Sequence, residues 1–138
     1  MGVRLLLDTH ALIWWWTDDA RLPEAARDWI ADQDNIVAVS AASAWEIATK
    51  FRLGKGPEVA GIIERFESNV LRSRFGMLPI TVTHARRAGM LGGPHKDPFD
   101  RMLIAQSQSE DMLLVTRDKV FGDYGVAVIW DDPAGAKS

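Results

Sequence analysis

The chain has 138 residues, of which 47% are hydrophobic and 25% are charged, and its formal net charge is −3. A chain of this length buries about two-thirds of the surface that it exposes when unfolded, so one domain can fold without disulfides or a structural metal. The absence of cysteine excludes cysteine catalysis and thiolate zinc sites, and the negative charge argues against a protein that coats nucleic acid electrostatically.

The first predicted strand covers residues 3–7, and an almost wholly apolar helix follows it in the stretch LLLDTHALIWW. The N-terminal residues MGVRLLLD resemble neither a signal peptide nor a spanning segment. We therefore expect a cytoplasmic protein without membrane association.

Strands and helices then alternate along the chain. Further strands are predicted at residues 36–39, 78–81, 112–115 and 126–130. Helices are predicted at residues 23–32, 40–54, 58–74 and from 97 to about 106. This alternation predicts an α/β fold, a single α/β/α domain with a central parallel sheet of four to five strands. We assign residues 1–132 to this domain and residues 133–138 to a loose C-terminal tail.

Acidic residues lie near the predicted carboxyl ends of the strands, where open parallel sheets place their sites. Asp8 follows the first strand directly, Glu46 lies in the helix after the second strand, and Asp118 follows the fourth. Right-handed crossovers bring these three segments to one edge of the sheet. Asp100 precedes its strand, so it joins the others only if its helix starts at that same edge.

Each acid also has a structural explanation. Asp8 and Asp97 are suitable N-caps, and Asp100 in a first helical turn favours the helix dipole. Glu46 could pair with Lys50 one turn later, a contact worth only a few tenths of a kcal/mol. Taken singly, capping or solvation explains these residues well, so the case for chemistry depends on the set.

A group of carboxylates at one point is the stronger interpretation. Trp45 and Ile47 flank Glu46, so that face of the helix is expected to be partly covered and the carboxylate is not merely solvated. Converging carboxylates repel one another, and a divalent cation relieves the repulsion. Oxygen ligands select Mg²⁺ or Mn²⁺ rather than zinc, and such ions suit phosphodiester hydrolysis.

Three stretches in this order resemble the PIN domain, and most closely the VapC toxins of bacterial toxin–antitoxin pairs: RLLLDTHALIWW, SAASAWEIATKFRLGKG and HKDPFDRMLIAQSQSEDMLLVTRD. The resemblance implies strand order 3-2-1-4-5 and metal-dependent endoribonuclease activity against cellular RNA. It also implies a VapB-type or similar antitoxin and a homodimer. By motif match, the implied catalytic and metal-binding residues are Asp8, Glu46, Asp100 and Asp118.

Other residues receive supporting roles in this hypothesis. The hydroxyls of Thr9 and Thr116 are placed to orient Asp8 and Asp118 by hydrogen bonds, unless they serve only turns or caps. Asp97 could replace Asp118 in part, although a capping role competes with this. Two arginines, Arg101 and Arg117, and the segment KFRLGK offer positive surface for phosphates, against the alternative that each base is merely solvated.

The histidines and tryptophans carry less information about function. His10, His84 and His95 are not at zinc-ligand spacing and no HExxH pattern is present, so general-base catalysis by histidine is not supported. His10 lies next to Asp8 and could contact a substrate, although a structural or exposed role competes with this. The tryptophans at positions 14–16 span about 200° of a helix. Either one of them faces outward at an interface, or the helix is buried on most of its circumference.

Three other classes of protein could use acids at strand ends. A metal-dependent phosphatase requires a DxD pair, whereas this chain has Asp8-Thr9-His10, and a receiver domain requires an aspartate after a middle strand, where Ser40 lies. A catalytically silent RNA- or protein-binding domain of the same fold is the third alternative. The presence of all four matched acids argues against it.

Overall fold

Five parallel strands form the central sheet of the computed structural model, which describes residues 2–56 and 59–131. The strands are β1 (Arg4–Leu7), β2 (Ile36–Ser40), β3 (Gly76–Leu78), β4 (Leu113–Val115) and β5 (Val128–Ile129). Their order is β3-β2-β1-β4-β5, and every neighbouring pair is parallel. The α/β class, the five-stranded parallel sheet and the strand order 3-2-1-4-5 are thereby confirmed.

Helices connect the strands and cover both faces of the sheet. They are α1 (Thr9–Trp16), α2 (Glu24–Ala31), α3 (Ala41–Arg52), α4 (Ala60–Glu64), α5 (Phe66–Arg72), α6 (Val82–Met90) and α7 (Pro98–Glu110). A 3₁₀ helix, Lys119–Tyr124, follows β4. The predicted tail at residues 133–138 and the predicted helix start at Glu58 lie outside the described residues. Within the described ranges, no helix is both long and apolar enough to cross a membrane.

Two of the predicted element boundaries were wrong. The helix predicted over residues 58–74 is interrupted at Arg65, whose φ of −121° and ψ of 28° are not helical, so α4 and α5 are separate helices. The third strand begins at Gly76 and ends before Pro79, because proline has no N–H to donate to a sheet. Thr81, predicted to end that strand, instead caps α6, a helix that we did not predict.

The core explains why the strands are continuously apolar. Leu5 and Leu7 of β1 pack on one face of the sheet with residues of α1, α2 and α5, whereas Leu6 packs on the other face against Leu103 and Ile104 of α7. All five side chains are buried. A strand that is covered on both faces needs apolar residues at successive positions, and the Leu5–Leu7 run meets that need.

Helix α1 is buried on most of its circumference. Trp14 is buried, and Trp15 and Trp16 are half-buried. Trp15 packs against Phe75, while the Trp16 indole N–H donates to Ser73 Oγ at 2.8 Å. Of the two interpretations of this tryptophan run, the structure supports burial, and none of the three side chains is fully exposed.

Candidate active site

A small acidic cavity lies at the carboxyl edge of the sheet and has a volume of about 140 Å³. Its lining residues are Asp8, Thr9, His10, Glu46, Lys50, Asp97, Asp100, Asp118 and Phe121. The structure therefore brings together the four acids that the sequence singled out. Asp100 joins the others because α7 starts at this edge, which is the condition that its position required.

Asp8 connects β1 to α1 and lies at the base of the cavity. Its Oδ1 accepts from the backbone N–H of Ala11 at 2.7 Å, which caps α1, and its Oδ2 accepts from Thr116 Oγ1 at 2.5 Å. Burial raises the pKa of Asp8 to about 6, partly opposed by the hydrogen bond from Thr116. The negative charges of Glu46 and Asp118 raise this pKa further. Asp8 therefore caps α1 with one carboxylate oxygen and accepts from Thr116 with the other, and a role in the chemistry stays a prediction.

Asp100 lies in the first turn of α7 and faces a histidine from the preceding loop. Its Oδ2 is 2.8 Å from Nε2 of His95. Burial raises the pKa of Asp100 to about 6, against the lowering effect of the hydrogen bond to His95, and the charges of Asp97 and Glu46 add to the rise. Two carboxylates of the cavity, Asp8 and Asp100, therefore have pKa values of about 6.

Glu46 is the most enclosed of the helical acids, with 6% of its side chain exposed. Its Oε2 lies 2.8 Å from Nζ of Lys50, the i,i+4 pair that the sequence allowed. A carboxylate buried to this degree is costly unless a charge or hydrogen bond compensates it. Lys50 provides that compensation, and it brings a positive charge to the wall of the cavity.

Two of the predicted hydrogen bonds differ from what the structure shows. Thr9 Oγ1 donates to Ser43 Oγ at 3.0 Å and does not orient Asp8. Thr116 orients the carboxylate of Asp8, not that of Asp118, from which it accepts only the backbone N–H at 3.1 Å. The reason is that β1 and β4 are neighbouring strands, so their ends place Thr116 beside Asp8.

Asp97 and Asp118 both act as helix caps while lining the cavity. Asp97 Oδ1 accepts from the backbone N–H groups of Phe99 and Asp100, and Asp118 Oδ1 accepts from the N–H of Val120. Each cap uses one oxygen, so the second oxygen of each carboxylate is not needed for the cap. The capping role expected for Asp97 is present, and a role in the chemistry stays a prediction.

The two arginines behave differently from each other. The guanidinium of Arg101 donates to the backbone carbonyls of Ala88, Leu91 and His95, which gives it a structural role, and its predicted contact with phosphates stays a prediction. It ties the end of α6 and the following loop to α7. Arg117 is exposed, and its guanidinium lies 4.9 Å from the centre of the Trp14 ring, which leaves its charge facing solvent.

Substitution of Arg101 with alanine should destabilise the fold by about 2–3 kcal/mol, because three carbonyls lose a charged donor. We expect the thermal midpoint to fall while any activity per folded molecule changes little at saturating substrate. Thermal unfolding and activity at a temperature where the variant is folded would check this. Arg117→Ala is the matched control, and the interpretation is wrong if Arg117→Ala lowers the thermal midpoint as much as Arg101→Ala.

The donor set fits a hard divalent cation, although the side chains are not arranged as a metal cage. The cavity offers carboxylate oxygens and lacks sulfur ligands, which suits Mg²⁺ or Mn²⁺. Within the described part of the chain, no three acidic or histidine side chains are grouped closely enough to hold an ion. Lys50 and His95 engage Glu46 and Asp100. Burial chiefly raises the pKa values of Asp8 and Asp100, and neighbouring carboxylates raise them further, so a cation would stabilise the ionised forms.

His95 is a site residue for which the sequence indicated no role. Its ring is hydrogen-bonded to a cavity carboxylate, and its ring centre lies 6.1 Å from that of Phe121. No spacing signal marks it, because the contact depends on the loop between α6 and α7. His84 is structural, since it belongs to the capping box of α6 and contacts Glu110.

Comparison with known proteins gives one family match and several similar folds. A model of the PIN domain family matches residues 5–127, and no curated protein sequence matches the chain. VapBC2 of Rickettsia felis, solved bound to a promoter DNA fragment, has a TM-score of 0.67 and 16% identity over 93% of this chain and 99% of that chain.

Two more structures show the same fold. VapC20 of Mycobacterium tuberculosis, described as a toxin that cleaves the sarcin–ricin loop, has a TM-score of 0.67 and 16% identity over 91% of this chain and 98% of that chain. FitAcB of Neisseria gonorrhoeae has a TM-score of 0.61 and 22% identity over 91% and 96%, respectively. At these identities the likeness establishes the fold alone.

Proposed function

The chain belongs to the PIN domain family, and from this membership we propose that it is a metal-dependent endoribonuclease and the toxin of a toxin–antitoxin pair. One observation carries the proposal: Asp8, Glu46, Asp100 and Asp118, each from a different segment, line the same cavity at the carboxyl edge of the sheet. Four carboxylates there cost stability, so a cation and a phosphate are the occupants that best explain them.

Roles within the cavity follow from position and hydrogen bonding. Asp8 and Asp100 would hold Mg²⁺ or Mn²⁺ directly, with Glu46 as a third ligand or as the group that orients the attacking water. Asp118 would tune the site or hold a second ion. When bound, the cation supplies charge neutralisation at the phosphate and activation of the water. Thr116 fixes the orientation of the Asp8 carboxylate through its hydroxyl.

Lys50 and His95 would change partners when the cavity fills. Lys50 is paired with Glu46 and His95 is hydrogen-bonded to Asp100, so a cation must compete with Lys50 for Glu46 and with His95 for Asp100. Release of Lys50 would leave an ammonium group beside the phosphate of the substrate. Lys50 would therefore be an internal counter-ion first and a phosphate contact afterwards.

A second cavity gives the substrate a route to the first. Its volume is about 560 Å³, it shares His10 and Lys50 with the acidic cavity, and Lys55 also lines it. Together with exposed Arg117, Lys50 and Lys55 offer positive charge around an acidic centre. Local positive charge of this kind allows RNA binding even though the net charge of the chain is −3.

Partners are proposed from the family and its relatives. The similar structures include toxin–antitoxin complexes, among them VapBC2 of Rickettsia felis and a complex from Klebsiella pneumoniae. We therefore propose a cognate antitoxin protein, RNA as substrate and a homodimer, acting in the cytoplasm where RNA is available. These assignments rest on resemblance, whereas the reaction class also rests on the geometry of the cavity.

The deciding experiment is cleavage of a mixture of single-stranded RNAs by the purified chain. We expect cleavage with Mg²⁺ or Mn²⁺, loss of cleavage with EDTA, and loss of at least about a hundredfold in rate in Asp100→Asn, which keeps shape but removes charge. Cleavage that persists in EDTA or in Asp100→Asn would contradict the proposal. Absence of cleavage together with absence of metal binding would favour the silent binding domain.

A further inference from the structure

An aromatic pair is exposed beside the acidic cavity. Trp45 of α3 is 59% exposed, and its ring centre lies 4.9 Å from that of Phe99 at the start of α7. The angle between the two ring planes is 79°. A near-perpendicular pair leaves at least one aromatic face uncovered, so the contact holds Trp45 in place without covering both rings.

The pair bridges the two helices that carry the helical acids of the cavity. Trp45 immediately precedes Glu46, and Phe99 immediately precedes Asp100. Both of these carboxylates line the cavity, so the aromatic contact is fixed to the same two helix segments as the acids. Burying an indole ring stabilises a fold by about 2 kcal/mol or more. Trp45 is too exposed to contribute most of that stabilisation. Neither the fold nor the proposed metal site explains why tryptophan stands here.

We propose that Trp45, held by Phe99, is a stacking platform for an unpaired base of single-stranded RNA next to the phosphate that enters the cavity. The inference rests on the proposed function, whose substrate it narrows to RNA with an accessible base. Every base presents a flat π-face, and stacking on an aromatic side chain is a general mode of single-strand binding. A base in a duplex has both faces covered, so the platform selects against paired RNA.

A second copy of the chain fits the pair less well than a base does. A stable interface buries roughly 800 Å² on each partner and has an apolar centre. One turn away from Trp45 on α3 lie Ala41 and Thr49, which add little apolar surface. The other exposed apolar side chains of this helix, Phe51 and the C-cap residue Leu53, lie about two turns further along it. The apolar surface at the pair itself therefore matches the size of a base rather than that of a protein interface.

The test measures the affinity of a short, fluorescently labelled single-stranded RNA and of its duplex in an Asp8→Asn background, so that the probe stays intact. We expect Trp45→Leu, which keeps apolar bulk but loses the ring, to weaken single-strand binding by about ten- to a hundredfold. Trp45→Phe should weaken it by less than about fivefold, because a smaller ring still stacks. Duplex binding should not change in either variant.

Leu71→Ala is the control, since Leu71 is 70% exposed but lies on α5. Single-strand affinity that is unchanged in Trp45→Leu, or equally reduced in Leu71→Ala, overturns the proposal. Sedimentation of each variant gives its oligomeric state, and dissociation of oligomers in Trp45→Leu would assign the pair to an interface between copies and overturn it too. Circular dichroism checks that each variant is folded. If Trp45→Leu does not fold, the affinity of Trp45→Phe is compared with that of the unmodified side chain instead.

The outcomes also separate this inference from the proposed function. If the unmodified chain cleaves RNA with metal but RNA affinity does not depend on Trp45, the proposed nuclease function stands and the stacking platform is wrong. If RNA affinity depends on Trp45 but the unmodified chain does not cleave RNA, the stacking platform stands and the protein is a catalytically silent RNA-binding domain.

Discussion

Replacement of Asp8 with asparagine is expected to abolish RNA cleavage while making the folded protein more stable at pH 7. The rate should fall by at least about a thousandfold, because a neutral amide binds a hard cation far more weakly than a carboxylate does and the proposed reaction needs that cation. The free energy of unfolding should rise by about 1–3 kcal/mol, since the pKa of Asp8 is raised to about 6 by burial and its ionised form is disfavoured in the fold.

Cleavage assays and urea unfolding at pH 7 measure the two effects on the same preparations. Asp34→Asn is the matched control, because Asp34 is an exposed acid away from the cavity and its replacement should change neither quantity. An Asp8→Asn variant that is both less active and less stable would mean that Asp8 is chiefly a structural cap. Retention of full activity would remove Asp8 from the site.

The sequence predicted the position of three of the acids because the order of the elements decides it. An apolar run as short as Leu5–Leu7 indicates a strand covered on both faces, and parallel strands carry their ends to one edge. Asp8 and Asp118 follow such strands directly, and Glu46 lies in the helix after one. Their shared location at one edge of the sheet therefore depends on the order of strands and helices, which the spacing of apolar residues predicts. It does not depend on any side-chain conformation.

The partners of those acids could not be predicted in the same way. The contact between His95 and Asp100 depends on the path of the loop before α7, and Arg101 fixes that path by donating to its carbonyls. A loop path reflects many weak contacts, so no residue spacing encodes it. For the same reason Arg101 resembled a phosphate ligand in the sequence, although its guanidinium faces backbone oxygens in the structure.

The buried acids of the cavity lower the free energy of unfolding at neutral pH, and a bound cation would raise it. Asp8 and Asp100 both have pKa values raised to about 6, above their ordinary value of 3.8, so the folded state binds protons more tightly than the unfolded state does. Without metal, these two groups therefore add stability as the pH falls from about 6 towards 4 and remove it as the pH rises. Asp19, whose pKa is lowered to about 2 by Arg21, acts in the opposite sense but only below about pH 4.

Bound metal should reverse this dependence on pH. Metal ligands must be ionised, so protonation of Asp8 and Asp100 competes with the cation, and the apparent affinity for Mn²⁺ should fall about a hundredfold between pH 7 and pH 5. In EDTA, the contribution of Asp8 and Asp100 should make the thermal midpoint higher at pH 5 than at pH 7. Addition of Mn²⁺ should raise the midpoint strongly at pH 7 and little at pH 5.

Thermal unfolding at the two pH values, with EDTA and with Mn²⁺, gives all four midpoints. Asp34→Asn should reproduce the pattern of the unmodified chain, whereas Asp8→Asn should lose most of the Mn²⁺ effect and show a smaller difference between pH 5 and pH 7 in EDTA. An Mn²⁺ effect of equal size at both pH values would mean that the ion binds away from these carboxylates. An equal effect in Asp8→Asn would exclude Asp8 as a ligand, because a site that holds the cation through Asp8 cannot survive loss of its charge unchanged.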